Sequence, residues 1–380
     1  MKKINIGLFC PEPKFWMGGV NYYLRLCQVV SLYPNNISFT VFVSKNTPQY
    51  IIDHFLKIPI VTCVKINSVK QSTSDLLKAI ILGMDYNIKK MCDLHKIDIL
   101  IENASFFGWR KFKPIISWIP DLQHAFLPEF FSKKNRLKRD LGFYFQSIFS
   151  TLIFVSSNDT KNNFLARYKI SDNKKVRVVP FSVPTIKIDE IQTQKVLDLY
   201  NITNDFIYLP NQYWPHKNFE LVIEAINLIK KNNQKPIQII SSGSNSNLNY
   251  YNKIESLKEK YAITDNEFKY LGFIPNEHVA TLIQASKALL NPSKFEGWST
   301  TVEEAKSYNK FMFLSDIAIH HEQAEFNAKF FNVTDHAQLS KYICQTYQNI
   351  KPSHTYIEND LQDRFYNEFY SMIIEALETK

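Results

Sequence analysis

The chain has 380 residues, which is too long for one ordinary domain and suits two domains of about 150 to 200 residues each. Hydrophobic residues make up 45% and charged residues 21%, with only 9 glycines and 16 prolines, which excludes a disordered, collagen-like or low-complexity protein. The formal net charge of +9 indicates an anionic partner, and a nucleotide, a membrane surface and nucleic acid all satisfy that condition.

The cysteines and the apolar runs indicate the compartment. Five cysteines lie far apart without a CxxC pair, which argues against a disulfide framework and a zinc site and favours the cytoplasm. The first apolar run stops at Pro11 and Pro13 and is too short for a signal peptide. No apolar run reaches the ~18 residues of a membrane span. We therefore expect any membrane contact to be peripheral.

Strand-like and helical patterns alternate over the first half of the chain. KINIGLFC, VNYYLRLCQVVSLY and ISFTVFVS predict a βαβ unit, and the runs IDILIEN, KPIISWIP, TLIFVSS and KVRVVPFSVP continue the alternation. Near-continuous apolar strands of this kind are buried on both faces of a parallel sheet. They predict a Rossmann-like amino-terminal domain over residues 1–184.

The second half repeats this architecture. A more polar segment, residues 185–204, is interpreted as a linker, after which FIYLP, PIQIISSG, EFKYLGF, KALLNPS and KFMFLSD alternate with helical patterns. The sequence predicts a second Rossmann-like domain over residues 205–380, with the closing helix LQDRFYNEFYSMIIEALETK packed outside its sheet. The fold class is then α/β, with two doubly wound sheets facing across a cleft and ligands at the carboxyl ends of the strands.

The segment NPSKFEGWSTTVEEAKS follows a strand and opens a helix near residue 300. Glu296 would project from the loop to meet a sugar, and Glu304 would lie in the first turn of the helix to meet a ribose. Between them, the free N–H groups of residues 299–302 form an anion site for a phosphate. The alternative is a capping box that needs no ligand, with two candidate pairings: Thr300 with Glu303, and Thr301 with Glu304.

A second strand-to-helix loop lies in LPNQYWPHKNFELVIEAINLI, where the helix begins close to Lys217 or Asn218. A lysine at a helix amino terminus opposes the macrodipole at a cost of some tenths of a kcal/mol, so something should compensate it. A diphosphate bound by Lys217 and the helix end would do so and would be neutralised as a leaving group. The alternative is an exposed lysine that points away. The predicted buried stripe of this helix is Phe219, Val222, Ile223, Ile226 and Ile229.

Two loops of the first half carry further candidates. In PKFWMGGVNYY, Gly18 and Gly19 allow close approach of a ligand, but an ordinary turn is the favoured explanation, since this is not a GxGxxG fingerprint. In SWIPDLQHAFLPEFF, Asp121 and His124 would lie at the rim of the crevice. His124 would either donate to a sugar hydroxyl or be a satisfied, partly buried histidine.

A basic run precedes the aromatic run FYFQSIF, and it consists of Lys133, Lys134, Arg136, Lys138 and Arg139. The pairing suits an anionic membrane surface or a lipid-linked phosphate. Its alternative is a solvated helix face beside a core helix.

Several motifs are missing from the sequence. It has no DxD, HExxH, GxxxxGK[ST] or GxSxG motif, which argues against metal-bound nucleotide chemistry, zinc hydrolysis, P-loop hydrolysis and serine esterase activity. Charge neutralisation is therefore expected to come from protein groups, with no metal and no cofactor.

The segments resemble, in order, the motifs of the retaining glycosyltransferases with the GT-B fold, known as glycosyltransferase family 4. EGWSTTVEEA resembles the E(x)7E motif of that family, NQYWPHKNFELVIEA its phosphate-binding strand and helix, and YLGFIP its base-pocket loop. GGV resembles its first glycine loop, and SDIAIHHEQA the segment that follows the E(x)7E helix.

The resemblance implies a role for each matching residue. Lys217 would bind the diphosphate, Glu296 the donor sugar and Glu304 the ribose, while Gly18, Gly19 and His124 would face the sugar or acceptor. The remaining implied donor contacts are Asn211, Gly272, Phe273, Ile274, Trp298, Ser299, Thr300 and Thr301. Three positions depart from the family pattern: Asn211 replaces an arginine, Pro120 the histidine of a His-Asp pair, and Ser299 a glycine.

The function implied by the resemblance is retaining, metal-independent transfer of a sugar from a nucleotide-diphosphate donor, a UDP- or GDP-sugar, to an acceptor hydroxyl. The first domain would bind the acceptor, a glycan or lipid-linked bacterial surface polysaccharide such as lipopolysaccharide, O-antigen or capsule. The protein would act in the cytoplasm, at the inner face of the membrane, and would not bind nucleic acid. A sugar-nucleotide epimerase and a non-catalytic glycan-binding protein are the alternatives with this architecture.

Overall fold

The computed structural model describes residues 3–69, 71–103, 106–232, 234, 237–347, 350, 355–356 and 358–379. They form two compact units, of which the first comprises Met1–Pro184 with Asn359–Lys380 and the second Thr185–Glu358. Each unit is a parallel sheet with helices between its strands, which is the predicted α/β class.

The first unit contains a seven-stranded sheet in the order β3-β2-β1-β4-β5-β6-β7, and every pairing is parallel. The strands are β1 (Ile4–Phe9), β2 (Ile37–Ser44), β3 (Val61–Ile66), β4 (Ile99–Glu102), β5 (Ile115–Trp118), β6 (Leu152–Val155) and β7 (Val176–Val178). The connecting helices are α1 (Pro13–Ser31), α2 (Gln49–Leu56), α3 (Thr73–Leu82), α4 (Tyr86–Leu94), α5 (Gln123–Phe126), α6 (Lys133–Phe149) and α7 (Asn158–Tyr168).

The second unit contains a six-stranded parallel sheet in the order β10-β9-β8-β11-β12-β13. Its strands are β8 (Phe206–Pro210), β9 (Gln238–Ser242), β10 (Phe268–Tyr270), β11 (Ala288–Asn291), β12 (Phe311–Ser315) and β13 (Ala328–Phe331). Its helices are α8 (Glu190–Leu199), α9 (Phe219–Lys231), α10 (Leu248–Lys260), α11 (Asn276–Ala285), α12 (Thr300–Ser307), α13 (Ala318–Gln323) and α14 (His336–Thr346). The strand order reverses between β8 and β11, so the loops after these strands lie side by side at a switch point.

The sheet of the second unit separates two apolar clusters. Ile207 and Leu209 of β8 pack with α9 on one face, and Phe206 and Tyr208 pack with α11 and α12 on the other. This alternation follows the two-residue period of a strand that is buried on both sides. The apolar stripe predicted for α9 is buried as expected.

The segment interpreted as a linker differs from that prediction. It contains α8, whose Val196 is buried in the core of the second unit. Tyr200, directly after α8, bonds His278 of α11 through its hydroxyl at 2.8 Å. The polar composition of this segment reflects a helix with one narrow buried face.

The helix α15 (Glu358–Glu378) corrects a second expectation, because it packs in the first unit and not outside the second sheet. Tyr366 stacks on Tyr33 of the first unit with ring centroids 4.1 Å apart, and Arg177 of β7 pairs with Glu375. Helical periodicity identifies a buried face but does not identify its partner. Neither α15 nor another helix in the described part of the chain is long and apolar enough to cross a membrane.

Candidate active site

Lys217 lies between β8 and α9, where the chain makes one 3-10 turn, Pro215–Lys217. The next residue, Asn218, is left-handed with φ 58° and is the N-cap of α9, which begins at Phe219, one residue after the predicted start at Lys217 or Asn218. Asparagine tolerates this conformation better than most residues. Its side-chain amide donates to the carbonyl oxygens of Pro292 at 3.2 Å and Val333 at 2.9 Å. These bonds fix the loop that carries Lys217 against the loop after β11.

The Lys217 ammonium pairs with Glu296 of that neighbouring loop. Its Nζ lies 2.5 Å from Glu296 Oε1, and the two side chains are only 16% and 10% exposed. Burial opposes ionisation of Glu296, but the charge and hydrogen bond of Lys217 outweigh it, so the pKa of this carboxyl lies below its ordinary value. The predicted compensation of the lysine charge is therefore supplied by Glu296, and Lys217 does not point into solvent.

A buried amide joins the two loops behind this pair. Asn291, at the end of β11, is fully buried, and its Oδ1 accepts from Asn211 at 3.1 Å and from Ser293 at 2.6 Å. Its Nδ2 donates to Ser299 at 2.8 Å. Asn211, a predicted donor contact, is itself buried and thus ties β8 to β11.

The amino terminus of α12 lies beside the pair. Ser299 is its N-cap residue, and the Ser299 hydroxyl bonds Asn291 and Thr301 instead of a backbone N–H of the helix. Neither predicted capping box forms, because the cap lies one residue before Thr300, which is exposed. The first-turn amides of α12 therefore have no side-chain cap, a state that favours an anion there.

The two adjacent acids of α12 have different environments. Glu303 is 2% exposed and accepts from Lys306 at 3.1 Å and from Gln323 at 3.0 Å, so it is structural. Glu304, the predicted ribose ligand, is half-buried and lies one residue beyond the first turn in which it was expected. Burial and the Glu304 charge both raise the pKa of Tyr208 in β8, which places Glu304 close to that strand.

Two histidines near the pair were not identified from the sequence. His320 of α13 is fully buried, and its Nδ1 lies 2.9 Å from the carbonyl oxygen of Ser315. Burial lowers the pKa of His320 to about 4, and burial with the Lys217 charge lowers that of His216 to about 4. Both are neutral at pH 7. The segment SDIAIHHEQA, at the carboxyl end of β12, was the available signal for His320.

Glycines shape the predicted base loop. Gly272 has φ +79°, and nothing lies within 4 Å of where its Cβ would be. Phe273 is 72% exposed, whereas Ile274 is buried in the core. Gly243, which sequence reasoning missed, donates its N–H to the Gly272 carbonyl at 2.9 Å, and its own absent Cβ would lie 2.3 Å from the Asn211 carbonyl oxygen. The carboxyl ends of β8, β9 and β10 therefore approach one another at these two glycines.

In the first unit, the structure corrects the interpretation of the glycine pair. Gly18 and Gly19 lie inside α1 and not in a loop. The group that approaches them is the side chain of Trp16, since a Cβ on Gly19 would lie 2.5 Å from its ring. Trp16 departs from helical geometry, with φ −157° and ψ 77°.

His124 is also enclosed. Its side chain is fully buried in α5, and Nε2 lies 3.1 Å from Asp140 Oδ1. Burial lowers the pKa of His124 despite the Asp140 carboxylate. Asp121 accepts from Arg139 at 3.4 Å. His124 is therefore more deeply buried than the partly buried alternative expected, and among the described residues its Nδ1 has no hydrogen-bond partner.

The basic run lies on α6, where Lys133, Lys134, Arg136 and Lys138 are exposed and Arg139 is half-buried. Within the described ranges, no three His, Cys, Asp or Glu side chains cluster closely enough to hold a metal ion. The Lys217 ammonium and the uncapped end of α12 can bind an anion, and the ionised Glu296 carboxylate beside them can accept hydrogen bonds from hydroxyl groups.

Residues 194–363 match the family model described as Glycosyl transferases group 1. The matched range contains Lys217, Glu296 and Glu304, and the match supports glycosyl transfer as the reaction class. No curated protein sequence matches the chain closely enough to indicate a relative.

Solved structures with the same fold include a glycosyltransferase from Rickettsia africae, with TM-score 0.71 and 16% identity over 100% of both chains. HepE of Anabaena in complex with UDP and glucose has TM-score 0.70 and 16% identity, also over 100% of both chains. WaaG, a glycosyltransferase involved in lipopolysaccharide biosynthesis, has TM-score 0.60 and 13% identity over 98% of this chain and 97% of its own. The chain has the GT-B fold, and each unit is Rossmann-like.

Proposed function

We propose that this protein is a retaining glycosyltransferase that moves a sugar from a nucleotide-diphosphate donor to an acceptor hydroxyl without a metal ion. The observation that carries the proposal is the buried pair of Lys217 and Glu296 at the switch point of the second sheet, within the range that matches the family model. The HepE complex with UDP and glucose supports a donor of this class, a UDP- or GDP-sugar.

The pair supplies the two charges that such a donor requires. The diphosphate would replace Glu296 as the ion-pair partner of the Lys217 ammonium, and it would also accept hydrogen bonds from the uncapped amides of α12. The released Glu296 carboxylate, held ionised by its depressed pKa, would then accept hydrogen bonds from the sugar hydroxyls. Glu304, half-buried near β8, is the proposed partner of the ribose.

The proposed transfer step assigns a role to each of these groups. The bond from the anomeric carbon to the diphosphate oxygen breaks, and the bond to the acceptor oxygen forms on the same face of the sugar. The acceptor proton passes to the departing diphosphate oxygen, so no protein base is required. Lys217 and the α12 amides stabilise the charge that develops on the leaving group, which is preorganised electrostatic catalysis.

The test uses Lys217→Met and Glu296→Gln. A thermal-shift screen with UDP-, GDP- and ADP-sugars first selects the donor, because bound ligand raises the melting temperature. Lys217→Met should then lose about 10²- to 10³-fold in kcat, the loss typical of removing one group that stabilises transition-state charge. Glu296→Gln should also lower kcat, because the donor sugar is less precisely oriented. Lys294→Met, in the same loop but exposed, should retain activity. Full activity of Lys217→Met would overturn the assignment, and donor conversion without an acceptor would indicate an epimerase.

We also propose that the acceptor is a lipid-linked bacterial surface glycan reached at the inner face of the cytoplasmic membrane. Helix α6 supports this, since four apolar side chains on one face are 47% to 61% exposed: Leu137, Leu141, Tyr144 and Ile148. The exposed lysines and arginine of the same helix add positive charge beside them. An apolar face flanked by basic residues is typical of helices that lie in an anionic bilayer surface. WaaG, which has the same fold, is involved in lipopolysaccharide biosynthesis.

A further inference from the structure

Helix α3 exposes its large apolar side chains. Leu77, Ile80 and Ile81 are 53%, 43% and 72% exposed, and their spacing of three and four residues places them on one face of the helix. All of α3 is described, and Ala79 is its one buried residue. A helix that packs against a core by its apolar face has the opposite arrangement, with the large side chains inside. The outward face of α3 therefore fits a partner that removes it from water.

Trp109 extends this apolar face. Its side chain is 46% exposed, and its Nε1 donates to the carbonyl oxygen of Ile80 in α3 at 3.0 Å. The backbone N–H of Arg110 donates to the carbonyl oxygen of Gly83 at 2.8 Å, which fixes the indole at the carboxyl end of the helix. An exposed indole beside aliphatic side chains is typical of the boundary between a bilayer and water.

Helices α4 and α6 cover the same face of the first sheet. Leu100 of β4 and Ile115 of β5 are partners, and both belong to the apolar cluster under α4. Ile153 of β6 belongs to the cluster under α6, and its partner in β5 is Ser117. Ser117 follows Ile115 by two residues, and residues two apart in a strand point to the same face. Both clusters, and the helices over them, therefore lie on one side of the sheet.

Helix α3 is joined to this side of the unit. It is followed directly by α4, and the Asn87 amide of α4 donates to Asp75 of α3 at 3.2 Å. Phe106 packs on Phe145 of α6 with ring centroids 5.1 Å apart, and Trp109, three residues later, bonds α3. This short segment thus connects α3 with α6, whose exposed apolar side chains lie on the same side of the first unit.

Cations surround the apolar side chains of α3. Lys78 of this helix is exposed, and so are Arg110 and Lys111, which directly follow Trp109. Burial and the Lys111 charge lower the pKa of Lys175, which donates to two carbonyl oxygens at the carboxyl end of α6. A second copy of the chain on a two-fold axis would bring these like charges together, whereas an anionic bilayer complements them. The charge therefore selects anionic lipid as the partner of this face.

We propose that α3 and Trp109 form a second membrane contact of the first unit, so that the protein binds an anionic bilayer through α3 and α6 together. The three aliphatic side chains and the indole would enter the bilayer surface, and Arg110 and Lys111 would lie at the phosphates of the lipid head groups. The inference extends the α6 contact, which rests on the proposed function. The α3 contact itself rests on the exposed face, the fixed indole and the cations.

The experiment measures partitioning of the full chain onto vesicles of phosphatidylglycerol and phosphatidylethanolamine at low salt. Leu77→Ser with Ile81→Ser should lower the partition coefficient about tenfold, because two large apolar side chains no longer enter the bilayer. Leu141→Ser with Ile148→Ser in α6 should have a similar effect, and the two losses should multiply when the variants are combined. Ile191→Ser, at an exposed apolar position of α8 in the second unit, should bind as the wild type does.

Two further variants test the charges and the indole. Arg110→Gln with Lys111→Gln should lower binding to the anionic vesicles about thirtyfold, since each basic residue at such a surface contributes five- to sixfold. Trp109→Phe should lose most of the blue shift of tryptophan emission that accompanies vesicle binding, because this indole leaves water for the bilayer. All substituted side chains are exposed, so every variant should retain the melting temperature of the wild type.

Wild-type partitioning of Leu77→Ser with Ile81→Ser would refute the second contact, and so would a wild-type dimer that this variant dissociates. Transfer to a soluble acceptor is measured on the same proteins. Transfer without any α3 contribution to vesicle binding would remove this inference and leave the proposed enzyme activity. Vesicle binding through both helices by a protein that transfers no sugar would remove that activity and leave the contact.

Discussion

Gly243 and Gly272 offer a matched pair of substitutions. Both have a positive φ, of +149° and +79°, so alanine is strained at either position. Only Gly243 is also crowded, since its Cβ would meet the Asn211 carbonyl oxygen at 2.3 Å, while the space around Gly272 is open. We expect Gly272→Ala to lower the free energy of unfolding by about 1–2 kcal/mol, the cost of the strained conformation. Gly243→Ala should cost clearly more.

Urea unfolding of both variants measures the difference. Gly243 lies further than Gly272 from the left-handed region that other residues adopt, so the excess loss in Gly243→Ala reports the greater backbone strain together with the close approach of the loops after β8 and β9. Equal losses would mean that these loops separate without cost.

His320 makes stability depend on pH. Its pKa falls from 6.5 to about 4 on burial, so between these values the unfolded chain binds a proton that the folded chain does not. The free energy of unfolding should therefore decrease as the pH drops below 6.5. The contribution of His320 to this decrease should end near pH 4. At pH 5 the loss from His320 is about 2 kcal/mol relative to neutral pH.

The measurement is the free energy of unfolding at pH 7 and pH 5. His320→Gln should remove about 2 kcal/mol of the difference between the two conditions. His321→Gln, which alters the exposed neighbouring histidine, should retain it. An unchanged difference in His320→Gln would show that this imidazole titrates normally.

The sequence singled out Lys217 and Glu296, together with the neutral Asn211 and Ser299, but it did not single out Asn291 and His320. Lys217 and Glu296 stand out because charges at strand-to-helix loops are costly unless they are used or paired. Asn291 and His320 do not stand out, since a buried amide or imidazole is recognised only by the partners that enclose it. The pairing of Lys217 with Glu296 required the switch point, which brings together residues 79 positions apart.

Among the single elements, helix α6 allows a direct test of the proposed membrane binding. Liposome flotation with anionic vesicles at low salt should recover the wild-type protein with the lipid. A double variant, Leu141→Ser with Ile148→Ser, should lose most of this binding, because burial of such a side chain contributes about 1.5–3 kcal/mol. Leu199→Ser, at an exposed apolar position of α8, is the control. Absence of wild-type binding would leave α6 as a solvated helix face.

Element boundaries were predictable where a local signal sets them. Asn218 marks the start of α9 because a left-handed residue precedes the first turn. The apolar stripe that the sequence predicts for that helix is buried. The predicted start of helix α1 lies too far along the chain, because a glycine pair is typical of a turn. In the structure, Gly18 and Gly19 lie within α1 and accommodate the Trp16 ring. The contact between the Trp16 side chain and the backbone of Gly19 leaves no periodic signal in the sequence.

For the whole molecule, α15 should decide the stability of the first unit. Phe365, Phe369, Met372 and Ile373 are fully buried there. Each such side chain contributes about 1.5–3 kcal/mol, and together they amount to the net stability of an ordinary domain. Removal of residues 359–380 should therefore unfold the first unit and leave residues 185–358 folded.

Limited proteolysis of the shortened chain, with mass spectrometry of the fragments, distinguishes the two units. New cleavage sites should appear within residues 1–184, and the fragment 185–358 should persist as in the intact protein. Simultaneous loss of protection in both units would show that they do not fold separately.

Alternating apolar strands and helices gave the α/β class and both parallel sheets from the sequence, because each such strand must be covered on two faces. The same pattern does not predict in which unit α15 packs. Its apolar face would satisfy either sheet, and contacts with residues of the first unit, among them Tyr33 and Arg177, select the first.

The position of α15 in the chain also sets an order of events on the ribosome. Residues 185–358, which form the second unit, are all translated before residues 359–380. The nascent first unit meanwhile exposes the groove that α15 will fill, and it must avoid aggregation until translation has passed through the second unit. The first unit is therefore translated first but completes its folding last.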